Sequence, residues 1–235
     1  MRTHGPPRPR RAALLALLML ALAYWALSSG RIQVPERLDP WAPLDVAAAP
    51  NLLTSFKLAR ASADPAACRA ALATARWRTT PLPDRATGPG CGFENAFRIE
   101  RTSVAVGEPF SLSCRAALSL AMWERHALQP AALARLGSEV RAIEHLGSYA
   151  CRNLYGEEGR RRSRHATADA VDLAGFVLAD GRRIRVLHDW HAAPGAAGAS
   201  EQAAGVTDEA RFLRELRDGA CRWFDAVLGP DYNRA

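Results

Sequence analysis

Two metal-ligating residue types, His165 and Asp172, stand seven positions apart in the stretch "SRHATADAVDLAGF", Ser163 to Phe176. Imidazole nitrogen and carboxylate oxygen both suit zinc, and a hydrolytic zinc site needs three protein ligands with a fourth position open to water. Water at such a site becomes nucleophilic near neutral pH. The spacing is usable if a tight turn feeds a strand, because the turn can swing the histidine back over the strand. An aspartate heading an otherwise apolar strand is unfavourable without a specific partner. Taken alone, the pair also fits a loop histidine beside the solvated arginine run Arg160, Arg161, Arg162 and Arg164, with an aspartate bonded to nearby backbone.

The elements that must position this pair read as α+β, a small antiparallel sheet with flanking helices. Asp64-Pro65 is a cap followed by proline at the first helical position, predicting a helix to about Ala75. Ser111 to Leu128 has helical apolar spacing at Leu112, Ala116, Leu120 and Trp123, and Pro130 starts a second, short helix. "EVRAIEHLGSYACR" predicts strand with a bend at Gly147, and Asn153 to Arg164 a charged loop. "VDLAGFVL", "ADGR" and "RIRVLHDW" predict a hairpin. Thr207 to Leu228 predicts an amphipathic helix capped by Thr207 and ended by Gly229-Pro230. If Asp180 and Gly181 are the two central turn residues, Asp172 faces Asp189 across the hairpin. His191 then shares its parity and can approach the site as a substitute ligand, while His188 points away. His126 and His145 read as surface residues, and Trp123, Trp190, Trp223 and Phe224 as core.

A chain of 235 residues that is 49% hydrophobic can bury a core. The net charge of +7 is concentrated in Arg2, Arg8, Arg10 and Arg11 and in the run at 160–164. No basic stripe is interleaved with aromatics, so nucleic-acid binding is not expected. Residues 1–30 pair a basic start, "MRTHGPPRPRR", with the apolar run Ala12 to Leu27. As a helix that run reaches about 24 Å against a hydrocarbon core of about 30 Å, which suits a cleaved signal peptide or a short membrane anchor. Ala26-Leu27-Ser28 would serve cleavage; Tyr24 and Trp25 favour an anchor in the bacterial inner membrane. The N-terminus would stay cytoplasmic and the rest be exported to the periplasm. Residues 31–51, rich in Pro and Ala, read as a tether, and 52–235 as the domain. In an exported domain Cys68, Cys91, Cys114, Cys151 and Cys221 read as disulfide formers with one left over.

The residues around the pair carry a resemblance. Ser163, His165, Ala168, Ala170 and Asp172 resemble the S-x-H-x-x-G-x-A-x-D motif of the D-alanyl-D-alanine metallopeptidases, the LAS group, with Ala168 in the glycine slot. The resemblance implies that His165 and Asp172 ligate zinc and that Ser163 belongs to the site. "GSYACR", Gly147 to Arg152, resembles the G-Y-R segment that presents an arginine to the substrate's carboxylate, so Arg152 is the expected substrate-binding residue. A planar guanidinium pairs bidentately with a carboxylate. The larger match, from about Asn51 to the chain end, is to the bacterial extensin-like C-terminal domain family, which looks related to the LAS peptidases. "DPAACRAAL", "GCGFENAFRI", "GSYACR", "SRHATADAVDLAGF" and "GACRWFDAVLGPDYN" carry it.

The resemblance implies an envelope zinc peptidase or carboxypeptidase, D,D- or L,D-specific, acting on peptidoglycan peptides. The alternative is a non-catalytic cell-wall-binding or structural envelope domain on the same fold. In the family a histidine-rich strand after "GPDYN" supplies the third ligand, and a later cysteine follows. The chain ends at Ala235, so a truncated site is expected, with its last strand and the partner of Cys221 missing and zinc bound weakly or not at all. No general base is assigned.

Overall fold

A computed structural model describes residues 9–29, 35–191 and 206–232. The start of the basic N-terminal segment, the first tether residues and most of the loop before the last helix fall outside these. The chain divides into two units, 1–42 and 43–235. The first carries helix α1, Pro9–Ser28, whose opening turn is taken by Arg10 and Arg11. No helix among the described residues is long and apolar enough to cross a membrane.

The second unit is α+β, built on small antiparallel sheets with helices against them. Helices α2 (Thr54–Ala63) and α3 (Pro65–Ala73) meet at Asp64, whose carboxylate accepts Ala67 N–H at 2.6 Å, the predicted cap. Strands β1 (Arg78–Leu82), β4 (Ala96–Arg101) and β5 (Phe110–Ser113) form one sheet in the order β1-β4-β5. β2 (Arg85–Gly88) and β3 (Cys91–Phe93) pair as a ribbon. A third sheet has the order β6-β7-β8, from Val140–Gly147, Asp172–Leu178 and Arg183–Arg185.

Helix α4 (Cys114–Trp123) does not stop before Pro130. It runs through a π turn, Glu124–Leu128, into α5 (Gln129–Leu136). Proline at the start of α5 is tolerated because the wider turn has already broken the regular ladder. Glu124 in that turn is buried; one carboxylate oxygen accepts Ser103 N–H at 2.9 Å while Oε2 has no hydrogen bond, and burial pushes its pKa up.

Helix α7 (Asp208–Ala220) starts at the predicted cap, with Thr207 Oγ1 accepting Ala210 N–H at 3.1 Å. Its apolar face, Phe212, Leu213 and Leu216, is buried against α5 and the π turn, and Phe212 reaches the third sheet, edge-on to Phe176 at 5.6 Å. Trp123 Nε1 donates to the Leu216 carbonyl at 3.0 Å, tying α4 to α7. Trp123, Trp190 and Trp223 are buried as expected, and Phe224 packs partly against the same core.

Three local expectations differ. The β7–β8 turn has three residues, Ala179 to Gly181, closed by Leu178 N–H to the Arg182 carbonyl at 2.8 Å. Gly181, at φ 92°, takes the left-handed position that such a loop demands. The extra residue shifts the register, so Phe176 faces Ile184. β8 then ends at Arg185 and turns into the short helix α6 (Val186–Asp189), held where Asp189 Oδ2 accepts Arg185 N–H at 2.7 Å. Asp172 therefore does not face Asp189. Likewise β6 stops at Gly147, so "SYACR" leaves the sheet rather than continuing it.

The end of the Pro- and Ala-rich stretch also belongs to the domain. Leu44 and Val46 are buried in its core. Val46 N–H donates to Thr74 Oγ1 at 2.9 Å, and its carbonyl meets His126 Nε2 at 2.9 Å. His126 is thus half-buried, not superficial, and burial pushes its pKa down. His145, half-buried, donates from Nε2 to the Glu108 carbonyl at 2.8 Å and accepts Gly147 N–H.

Candidate functional site

The two predicted ligands meet. Between them the chain makes a single 3-10 turn, Arg164–Thr167, entered at Ser163 and left at Ala168. Ser163 is buried, and its hydroxyl accepts His165 N–H at 3.3 Å, the capping role open to a serine there. Ala168 lies at φ 53°, ψ 31°, in the left-handed region. It adopts there a conformation that favours glycine, at a cost of about 1–2 kcal/mol. Ala166 and Ala168 are fully buried beneath the turn.

This turn returns His165 over the head of β7. His165 Nδ1 lies 3.0 Å from the Ser148 carbonyl, and Nε2 lies 3.4 Å from Asp172 Oδ1. A carbonyl can only accept, so Nδ1 carries a proton, and in the neutral ring Nε2 presents its lone pair to Asp172. Backbone anchoring of Nδ1 is the usual arrangement behind an Nε2 metal ligand. The imidazole is largely buried, at 12% exposure, whereas the Asp172 side chain is 53% exposed. Two facing lone pairs need a positive charge on or between them. Two bonds of about 2.1 Å meeting at a tetrahedral angle place their donor atoms about 3.4 Å apart, so the pair fits two zinc ligands. Among the described residues no group of three His, Cys, Asp or Glu side chains could hold a metal ion. His191 does not join the pair; its Nε2 faces Asp231 Oδ1 at 3.6 Å.

Arg152 and Ser163 are brought beside the ligands by backbone pairing. Ser163 N–H donates to the Arg152 carbonyl at 3.0 Å, and Ala150 N–H to the His165 carbonyl at 3.1 Å. The Arg152 side chain is exposed. Tyr149 of the same segment hydrogen-bonds Thr87 and packs edge-on to Phe93 at 5.3 Å.

Five residues of the site escaped the sequence reading. Asp169, one position past Ala168, is 6% exposed and accepts from Ser113 Oγ at 2.5 Å, Arg115 Nε at 2.7 Å and Thr167 Oγ1 at 2.6 Å. Arg115 adds a second hydrogen bond, making the pair bidentate. Burial alone would push this carboxyl up, but the hydrogen bonds from Arg115, Ser113 and Thr167 outweigh it and hold the pKa below the usual carboxylate range. Ser113 N–H also donates to the Ala168 carbonyl at 2.9 Å. The fifth is Ser148, buried, with its hydroxyl on the Ser111 carbonyl at 2.5 Å.

Both disulfides reach this region. Cys68–Cys114 fixes α3 to the residue between Ser113 and Arg115. Cys91–Cys151 fixes β3 to the residue between Ala150 and Arg152. Cys221 is free and exposed, the expected odd cysteine.

Comparisons with curated proteins and with solved structures found no match for the chain. The family model described as extensin-like protein C-terminus matches residues 66–235, the stretch that carries both disulfides, the 3-10 turn and the His165–Asp172 pair; the chain belongs to that family.

Proposed function

We propose that the domain is a zinc-dependent, LAS-peptidase-like module of the bacterial envelope that acts on peptidoglycan peptides. The observation carrying this reading is the anchored imidazole, its Nδ1–H on the Ser148 carbonyl and its Nε2 facing Asp172 at 3.4 Å. His165 and Asp172 would hold the ion, and a third protein donor is not among the described residues. Bound zinc supplies Lewis acidity that makes water nucleophilic near neutral pH. Ser148 fixes the ring tautomer, Ser163 caps the turn, and Arg152 orients a substrate carboxylate as a planar fork. The basic, apolar N-terminal segment directs the domain across the inner membrane, as signal or anchor, which agrees with two disulfides in the exported part.

The test is zinc titration of the purified protein beside His165→Ala and Asp172→Asn. Two donors predict weak binding by this chain, weakened a further tenfold or more in either variant. Equal zinc uptake by all three proteins removes the ligand assignment. With two donors among the described residues, no release of D-alanine from a peptide is expected of this chain.

A second reading, a non-catalytic cell-wall-binding domain, is favoured by the same two-donor count. Retention on purified peptidoglycan that a chelator does not change supports it over the zinc-dependent one.

A further inference from the structure

The segment from Arg152 to Ser163 is a short antiparallel pair. Asn153 bridges Arg162, with Leu154 N–H on the Arg161 carbonyl at 3.0 Å and Ser163 N–H on the Arg152 carbonyl at 3.0 Å. These two bonds flank the bridge, so Asn153 and Arg162 share one face. Their side chains meet there, Arg162 Nη1 donating to Asn153 Oδ1 at 3.0 Å. Alternation then places Arg152, Leu154, Arg161 and Ser163 on the other face. That face leads to the His165–Asp172 pair, because Ser163 caps the turn bearing His165.

The arginines of the run thus divide by face. Arg162 is occupied with Asn153 and the Pro89 carbonyl at 2.9 Å, and Arg160 with Glu157 at 2.8 Å. Arg152 and Arg161 are both exposed, and no hydrogen bond or ion pair of either guanidinium is found among the described residues. They are diagonal neighbours across the pair, about 7–8 Å apart at the backbone. Two guanidinium forks carried on neighbouring backbone positions of one face suit two carboxylates about two residues apart on one extended peptide, each fork gripping one bidentately.

We propose that Arg161, together with Arg152, selects acidic peptides: one guanidinium takes the terminal carboxylate and Arg161 takes a second carboxylate on the side chain of an upstream residue. This rests on the peptide-binding reading above and names its substrate class. The run of arginines is then not a uniform basic patch. Arg161 is its specificity-determining member, and Arg160 and Arg162 hold the hairpin's shape.

The test uses two blocked D-alanyl-D-alanine tripeptides that differ only in Glu or Gln at the first residue. Their dissociation constants are measured for the full chain, Arg161→Gln and Arg160→Gln. The wild type is expected to prefer the glutamate peptide by up to about fivefold, as one exposed charge-assisted pair gives. Arg161→Gln should abolish the preference and leave affinity for the glutamine peptide unchanged, while Arg160→Gln keeps the preference. Equal loss in both variants means diffuse charge attraction and overturns the assignment, as does an undiminished preference in Arg161→Gln. A wild type that binds both peptides equally overturns only this inference. One that binds neither removes the peptide-binding reading along with it.

Discussion

Asp169 and Asp172 lie three residues apart and have opposite fates. Asp169 is 6% exposed and bound by a serine, a threonine and a bidentate arginine; Asp172 is 53% exposed with His165 Nε2 opposite it. A carboxylate whose acceptor sites are filled by protein donors is a brace. One that keeps them open beside an oriented imidazole is free to meet a ligand. The turn therefore divides its labour between a buried charge that fixes shape and an exposed one that remains available. Stability and ligand binding should respond to mutation at different residues.

The largest test of that division removes the Cys68–Cys114 bridge, which holds the helix end supplying Ser113 and Arg115. For a closed loop of 46 residues the chain-entropy estimate is about 4 kcal/mol of lost stability. A thermal melt of the Cys68→Ser, Cys114→Ser double variant should show it as a fall of roughly 8–16 °C. Next comes Asp169→Ala, which strands a serine and a half-exposed arginine and should cost about 3 kcal/mol by urea unfolding. Asp172→Ala should cost less than about 0.5 kcal/mol in the same assay, as surface substitutions do. Equal destabilisation by the two alanines would break the comparison outright.

The smallest expected effect is in acid. The folded Asp169 carboxyl titrates below its unfolded value, so its contribution is present above the unfolded pKa, about 3.9, and is lost as pH falls through the lower folded one. Asp169→Asn should be less stable than wild type at neutral pH, and the gap should narrow below about pH 4. A gap constant down to pH 2 would show that the stabilisation does not come from the ionised form.

How much of this was legible in the sequence depends on the range of each interaction. The caps at Asp64 and Thr207 were readable because cap and first turn are three residues apart. The His165–Asp172 pair was readable through its motif, and the left-handed Ala168 that makes it work marks the motif's glycine slot. The Asp169 brace was not, since its main partners lie 54 and 56 positions away and nothing local distinguishes this aspartate from any turn residue. The hairpin register failed by a single residue, because "ADGR" serves a two- or three-residue turn equally well until the strands choose. His191 left the site it was expected to approach for another reason: β8 ends at Arg185 and the chain turns into α6 before reaching it. Leu44 and Val46 read as tether because an alanine-rich composition hides two large apolar residues that are buried in the domain's core.

The two disulfides are interleaved: Cys91 lies within the loop closed by Cys68–Cys114, and Cys114 within the loop closed by Cys91–Cys151. An unstructured chain closes its shorter loops more readily, which favours the neighbouring pairs Cys68–Cys91 and Cys114–Cys151. Early oxidation therefore runs toward the wrong partners. The native pairs win only after α3 has met α4 and β3 has met the segment before Arg152. Reaching them takes thiol exchange, and the exposed Cys221 puts a fifth thiol within the same chain to carry or divert it. For this domain maturation is a sorting problem as much as a folding one, and its yield should rise with a disulfide isomerase more than with a stronger oxidant.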